Sequence, residues 1–201
     1  MKNISCVLAL FFSLYVSIIS AQNISDLEAY EKAIKPGTQL TYDVTAKSKQ
    51  YKLVVTIKKL GDEFAFDWKT GDPENKGGSI TMSANATAKA EALFNTFIGG
   101  DSKLDKETSL LISKQVFNKV ATTSEASIKL TGASDTVTAM SNTIGEFNFN
   151  LDGNLVGIPG WELQGGGDPK YTLDVLESTK FPLIFKLDLG WNMILIEVKS
   201  Q

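Results

Sequence analysis

The spacing of apolar residues divides the chain into a few short helices and many strands. Leu27, Tyr30 and Ile34 recur at helical intervals, Ser25 and Glu28 stand at capping-box spacing, and Pro36-Gly37 ends the run, which predicts a helix over 26–35. The period then drops to two. Leu40, Tyr42, Val44 and Ala46 alternate with Thr41, Asp43 and Thr45. Tyr51, Leu53, Val55 and Ile57 do the same, as do Phe64, Phe66 and Trp68, which predicts a three-strand antiparallel meander with one buried face. A polar loop over 70–78 leads to a fourth strand near 79–83. From Ala84 the pattern turns helical again. Ala86, Ala90, Leu93, Phe94 and Phe97 form one stripe ended by Gly99-Gly100, so a long helix is expected over 84–98. A charged loop follows over 101–107, then a short strand, then a short helix starting after Ser113.

The second half returns to strands, with candidates at 125–131, 134–140, 144–151, 154–158, 171–177, 181–189 and 191–199. Asp152-Gly153 is a two-residue hairpin signal. Pro159-Gly160 and the Gly165-Gly166-Gly167-Asp168-Pro169 run make 159–170 a loop. The final strand is apolar on both faces, which places it centrally and makes the C-terminus structural. The pattern as a whole predicts an α+β, mainly β domain. It would be one curved antiparallel sheet, half-barrel or barrel-like, of about ten strands, with two or three helices packed on or over it. In architecture alone this resembles the half-barrels of envelope lipid carriers, which implies an apolar ligand in the concavity.

The first 21 residues change where this domain is expected to work. Lys2, an apolar run over 6–19 and the small pair Ser20-Ala21 have the layout of a cleaved secretory signal peptide, cut after Ala21. The run is shorter than the roughly 20 residues of a membrane span. The expected organisation is a leader over 1–21 and a single β-rich domain over 22–201, secreted or periplasmic, of the bacterial-envelope kind. With one Lys in the leader, 19 lysines face 23 acids in the remainder, a formal charge of −4. That mild acidity speaks against nucleic acid or an anionic membrane as partner.

Composition then removes chemistry. All 20 basic residues are Lys, His is absent, and the one Cys, Cys6, lies in the leader. Disulfides, His- or Cys-based catalysis, zinc sites and Arg clamps are therefore excluded from the exported domain. No catalytic residue, metal site or cofactor is predicted. Asp101, Asp105 and Glu107, and Asp72, Glu74 and Asn75, lack the alternating spacing of a calcium loop and read as solvated charge. The expected function is non-enzymatic binding of a small apolar or lipid-like ligand, with Trp161, Phe94, Phe97 and Trp68 as ligand-binding candidates. Trp161 is singled out because the pattern puts it in a loop, where an aromatic has least structural reason to be. The alternatives are a carboxylate-based polysaccharide hydrolase, suggested by Glu162 beside Trp161, and a cell-surface structural or adhesion module.

Overall fold

The period-two runs become a continuous meander: β1 (Gln39–Ala46), β2 (Lys49–Lys59), β3 (Phe64–Thr70) and β4 (Gly77–Met82) pair in succession, antiparallel throughout. Every second side chain in β3 is buried, as the alternation requires. This computed structural model describes residues 24–130, 136–165 and 171–201, and for 136–144 the backbone alone. The expected leader and its cut after Ala21 lie outside the described residues. The remaining strands are β5 (Ala92–Leu93), β6 (Gly100–Leu104), β7 (Glu125–Leu130), β8 (Thr136–Leu151), β9 (Asn154–Gly165), β10 (Tyr171–Leu176), β11 (Ile184–Asp188) and β12 (Asn192–Lys199). Three helices, α1 (24–33), α2 (Ala84–Lys89) and α3 (Lys114–Thr123), complete the described chain.

All twelve strands form one sheet in the order β5-β7-β8-β9-β10-β11-β12-β1-β2-β3-β4-β6. A further parallel pairing, Glu197↔Asn150 and Val198↔Leu151, joins β12 back to β8 and closes β8 to β12 into a five-strand ring. The fold is thus α+β, mainly β, with a curved barrel-like sheet. The hairpin at Asp152-Gly153 forms with both residues at positive φ, 51° and 88°, as its type requires. Phe147 of β8 stacks on Phe185 of β11 at 4.8 Å and 19°, and since β8 and β11 are not sheet neighbours, this contact crosses the ring.

α1 packs onto the same aromatic cluster. Tyr30 meets Phe149 edge-on at 6.0 Å, and its hydroxyl donates to the Phe181 carbonyl at 3.1 Å. The Tyr42 hydroxyl likewise donates to the Ile184 carbonyl at 3.2 Å. Burial raises both phenols above their ordinary range, so they stay neutral donors. Residue 24 is already helical, which puts Ser25 inside the helix and not at its cap, and Asp26 accepts the Gly157 N–H at 3.1 Å.

Several expectations are corrected, among them the charged loop expected over 101–107, whose first part is β6, paired in parallel with β4. The helix predicted over 84–98 stops at Lys89, because Ala90 is extended (φ −60°, ψ 132°) and the next residues are drawn into the sheet. Ala92 and Leu93 pair with Lys129 and Leu130, the Glu91 carbonyl accepts the Lys129 N–H at 2.8 Å, and Phe94 donates to the Thr108 carbonyl at 2.7 Å. Long-range pairing outweighs an alanine-rich preference worth only tenths of a kcal/mol per residue. The loop predicted from Pro159 is instead a strand as far as Gly165. Pro159 is tolerated because the β9–β10 ladder ends one residue later, at Leu176↔Gly160, so its missing N–H would point beyond β10.

Candidate functional site

A cleft with apolar walls lies where five separate segments meet at the C-terminal end of α1. Its volume is about 490 Å³, inside the range of roughly 300–1,000 Å³ of small-molecule sites. Ile34 just after α1, Phe64 of β3, Leu111, Ile112 and Phe181 give it buried apolar walls. Phe64 and Phe181 meet edge-on at 5.1 Å and 64°. The β2–β3 turn (Leu60, Gly61, Asp62) forms one lip and Thr179–Pro182 the other, with Lys114 at the start of α3 between them.

The rim carries two lysine–carboxylate pairs. Glu31 is the better held. One of its oxygens accepts the Ser178 hydroxyl at 2.8 Å and the other pairs with the Lys180 ammonium at 2.9 Å. Ser178 in turn accepts the Phe181 N–H at 3.1 Å, which fixes the lip against the helix. Burial raises the Glu31 carboxyl, but the hydrogen bonds from Lys180 and Ser178 outweigh it and keep the group below its ordinary value. Lys114 and Asp62 are 4.0 Å apart and exposed, a loose pair.

The four aromatics singled out in the sequence fall elsewhere. Trp68 is buried on β3 and meets Phe97 edge-on at 5.3 Å, with no acceptor for its indole N–H among the described residues. Phe94 and Phe97 are half-buried in the irregular stretch that replaces the expected helix. The space enclosed between these two and Leu110, Leu187 and Met193 is about 10 Å³, no more than one water needs, so the concave face is filled there. Trp161, expected in a loop, is instead buried in β9 against Phe117 of α3 at 4.9 Å. The structure therefore brings Trp68, Phe94 and Phe97 together and leaves Trp161 apart. Of the four, only Phe97 lines a second cleft, of about 230 Å³, whose residues also include Tyr51 and Trp191.

Sequence reasoning missed the larger cleft because its walls come from segments far apart in the chain, with Glu31 and Ile34 facing Lys180 and Phe181. The one local signal was the apolar run Leu110-Leu111-Ile112 followed directly by the Ser113 cap, whose hydroxyl accepts the Val116 N–H at 3.2 Å. The acidic loops are spent on local bonds: Asp101 accepts from Ser79, Asp105 from Ser83, and Glu74 pairs with Lys49 and Lys76. Among the described residues no three His, Cys, Asp or Glu side chains gather as a metal site.

Carboxylates do meet at one place. In the sheet register Asp174 of β10 stands between Glu162 of β9 and Lys186 of β11. It is buried, and its Oδ1 has no hydrogen-bond partner among the described residues. Burial pushes its carboxyl up to about 6, with Lys186 opposing and Glu162 adding to the shift. Neither acid lines either cleft. The consequence is for stability. A free carboxyl titrates near 3.8 and this one near 6, so the folded state holds its proton to higher pH. The stability that neutral Asp174 contributes is complete below 3.8 and is lost as pH rises through about 6. Asp174→Asn is therefore expected to stabilise the protein by about 2 kcal/mol at pH 7.5 and to change little at pH 4. Urea unfolding at the two pH values checks this, and an equal effect at both would overturn it. Glu31, Glu63, Glu74 and Glu91, all held below 4.5, act in the opposite sense and at lower pH.

Comparison with protein families, with curated proteins and with solved structures finds no match to this chain. No helix among the described residues is long and apolar enough to cross a membrane.

Proposed function

We propose that the protein is an exported, non-enzymatic binding protein that takes a small apolar or lipid-like ligand into the cleft beside α1. The cleft itself carries this reading. It combines a volume of about 490 Å³ and a mostly apolar wall with charges confined to the rim, the arrangement that buries a hydrocarbon body and leaves a polar end in water. Each buried methylene contributes about 0.8 kcal/mol, so a chain of about ten carbons offsets the several kcal/mol that association costs. Export rests on the leader layout at residues 1–21.

Protein purified from its host is expected to begin at Gln22 and to carry an apolar molecule in native mass spectrometry. Dodecanol is expected to raise the melting temperature of the stripped protein. Thr179→Trp, an exposed residue at the lip, is expected to abolish that shift while leaving the ligand-free melting temperature unchanged. An intact N-terminus, a bare mass or a shift that survives Thr179→Trp would each overturn the corresponding part.

A further inference from the structure

The second cleft differs from the first in chemistry as well as place. It opens between the ends of β1, β2 and β12 and the stretch 95–98. Tyr51, Phe97 and Trp191 present three aromatic side chains to it, and Met193, Val44 and Leu53 supply its apolar floor. Among the described residues no charged one lines it, although 21% of the chain is charged and the larger cleft has four such residues on its rim. Three large apolar side chains are exposed among the described residues, and one of them, Ile98 at 72%, stands at this mouth.

Neutral hydrogen-bonding groups are present. Asn95 and Thr96 line the mouth, and the hydroxyl of Thr96 meets the Asn95 carbonyl oxygen at 3.5 Å, which leaves the Asn95 amide N–H groups without a protein acceptor among the described residues. Behind Phe97, the buried Trp68 indole N–H is a further donor without an acceptor among the described residues. A volume of about 230 Å³ exceeds the roughly 150 Å³ cavity that takes up benzene. It is too small for the long chain proposed for the other cleft.

We propose that this cleft is a second binding site, specific for an uncharged aromatic ring bearing one hydrogen-bonding substituent of the phenol type. The ring packs among Tyr51, Phe97 and Trp191, where offset or edge-on aromatic pairing adds attraction beyond the area buried. The substituent oxygen accepts from the Asn95 amide. An anionic analogue is rejected, because its carboxylate loses water, no cation among the described residues lines the cleft, and the lysines nearest Tyr51, Lys49 and Lys76, are paired with Glu74. The inference is independent of the larger cleft.

The test uses 19F NMR of the full-length domain with 4-fluorophenol and 4-fluorobenzoate. The phenol is expected to broaden on titration, and the benzoate to bind about tenfold more weakly or worse. Ile98→Glu, on an exposed side chain, is expected to weaken the phenol at least about tenfold with the melting temperature unchanged. Asn95→Ala is expected to narrow the preference for 4-fluorophenol over fluorobenzene. Thr179→Trp, which blocks the larger cleft, is expected to leave the phenol untouched. Absence of broadening, equal binding of the benzoate, or loss of the phenol in Thr179→Trp but not in Ile98→Glu would overturn the proposal.

Discussion

A chain that stops at Gly190 is expected to lose cooperative folding. β12, like β8, has three sheet neighbours among the described pairings, and it is the strand that joins the β1–β4 meander to β11. It pairs with β1 from Gln39↔Lys199 to Thr45↔Asn192, with β11 from Lys186↔Ile194 to Asp188↔Asn192, and with β8 at the ring closure. Without it the ring opens and the β1–β4 meander separates from β11. Met193, Leu195 and Val198 also leave the core, each at most 2% exposed. Truncating one such side chain costs about 2–5 kcal/mol, so losing three together with their backbone pairing exceeds the 5–15 kcal/mol by which domains are stable.

Removing only Ser200 and Gln201 provides the contrast. Ser200 donates to Asp152 through its N–H at 2.7 Å and its hydroxyl at 2.6 Å, a clasp on the β8–β9 hairpin worth about 1–3 kcal/mol because the acceptor is charged. The short deletion is expected to shift the urea midpoint and the long one to abolish the transition. A sigmoidal urea curve for the chain ending at Gly190 would refute the central role given to β12.

How far the fold can be read from the chain depends on whether a segment's local and distant preferences agree. β1, β2 and β3 alternate strictly, and their burial alternates with them, so the pattern locates them to within two residues. The centrality of β12 was legible for a related reason. A strand apolar on both faces has cover on both. Ser113 caps α3 where the pattern puts it. The segments over 84–98 and 159–165 fail because the two preferences conflict there. In the first, alanine favours helix locally while Lys129 and Thr108 offer unpaired backbone at a distance. In the second, Pro159-Gly160 has turn chemistry, yet the glycine serves a packing need and the proline sits where its N–H is not wanted.

The candidate site was less legible than the fold, since a cleft is a property of segments brought together. Nothing about Glu31 in a helical run or Lys180 in a polar turn marks them as partners, although they form the firmest ion pair on the rim of the larger cleft. Trp161 misled for a definite reason. Its expected exposure rested on the loop, and once β9 extends to Gly165 the same residue becomes a core contact of α3. Phe97 and Trp68 do stand together, but across a filled interior, and the open volume lies on the far side of Phe97.

Gly160→Ala is expected to destabilise the domain by about 3 kcal/mol, the upper end of overpacking penalties. The reason is the ring. A Cβ at this position would stand 2.6 Å from the Phe147 ring and closer still to the Val175 carbonyl oxygen. The Phe147 ring could turn away, but it is held by its stack on Phe185. The carbonyl belongs to β10, which is paired with β9 and β11 on its two sides and cannot retreat without breaking a ladder.

A double-mutant cycle separates the two obstacles. Phe147→Ala alone loses a half-buried ring and its stacking, about 2 kcal/mol. If both obstacles act, the double variant Phe147→Ala/Gly160→Ala loses less than the sum of the single losses, by about 1 kcal/mol, because one clash is relieved and the carbonyl clash stays. Gly153→Ala controls for generic loss of glycine. Nothing lies within 4 Å of its added Cβ, and its φ of 88° leaves backbone strain as the only penalty, about 1 kcal/mol. Urea unfolding of the four variants reads all of this out. A Gly160→Ala loss no larger than that of Gly153→Ala, or strict additivity with Phe147→Ala, would mean that Phe147 does not press on Gly160.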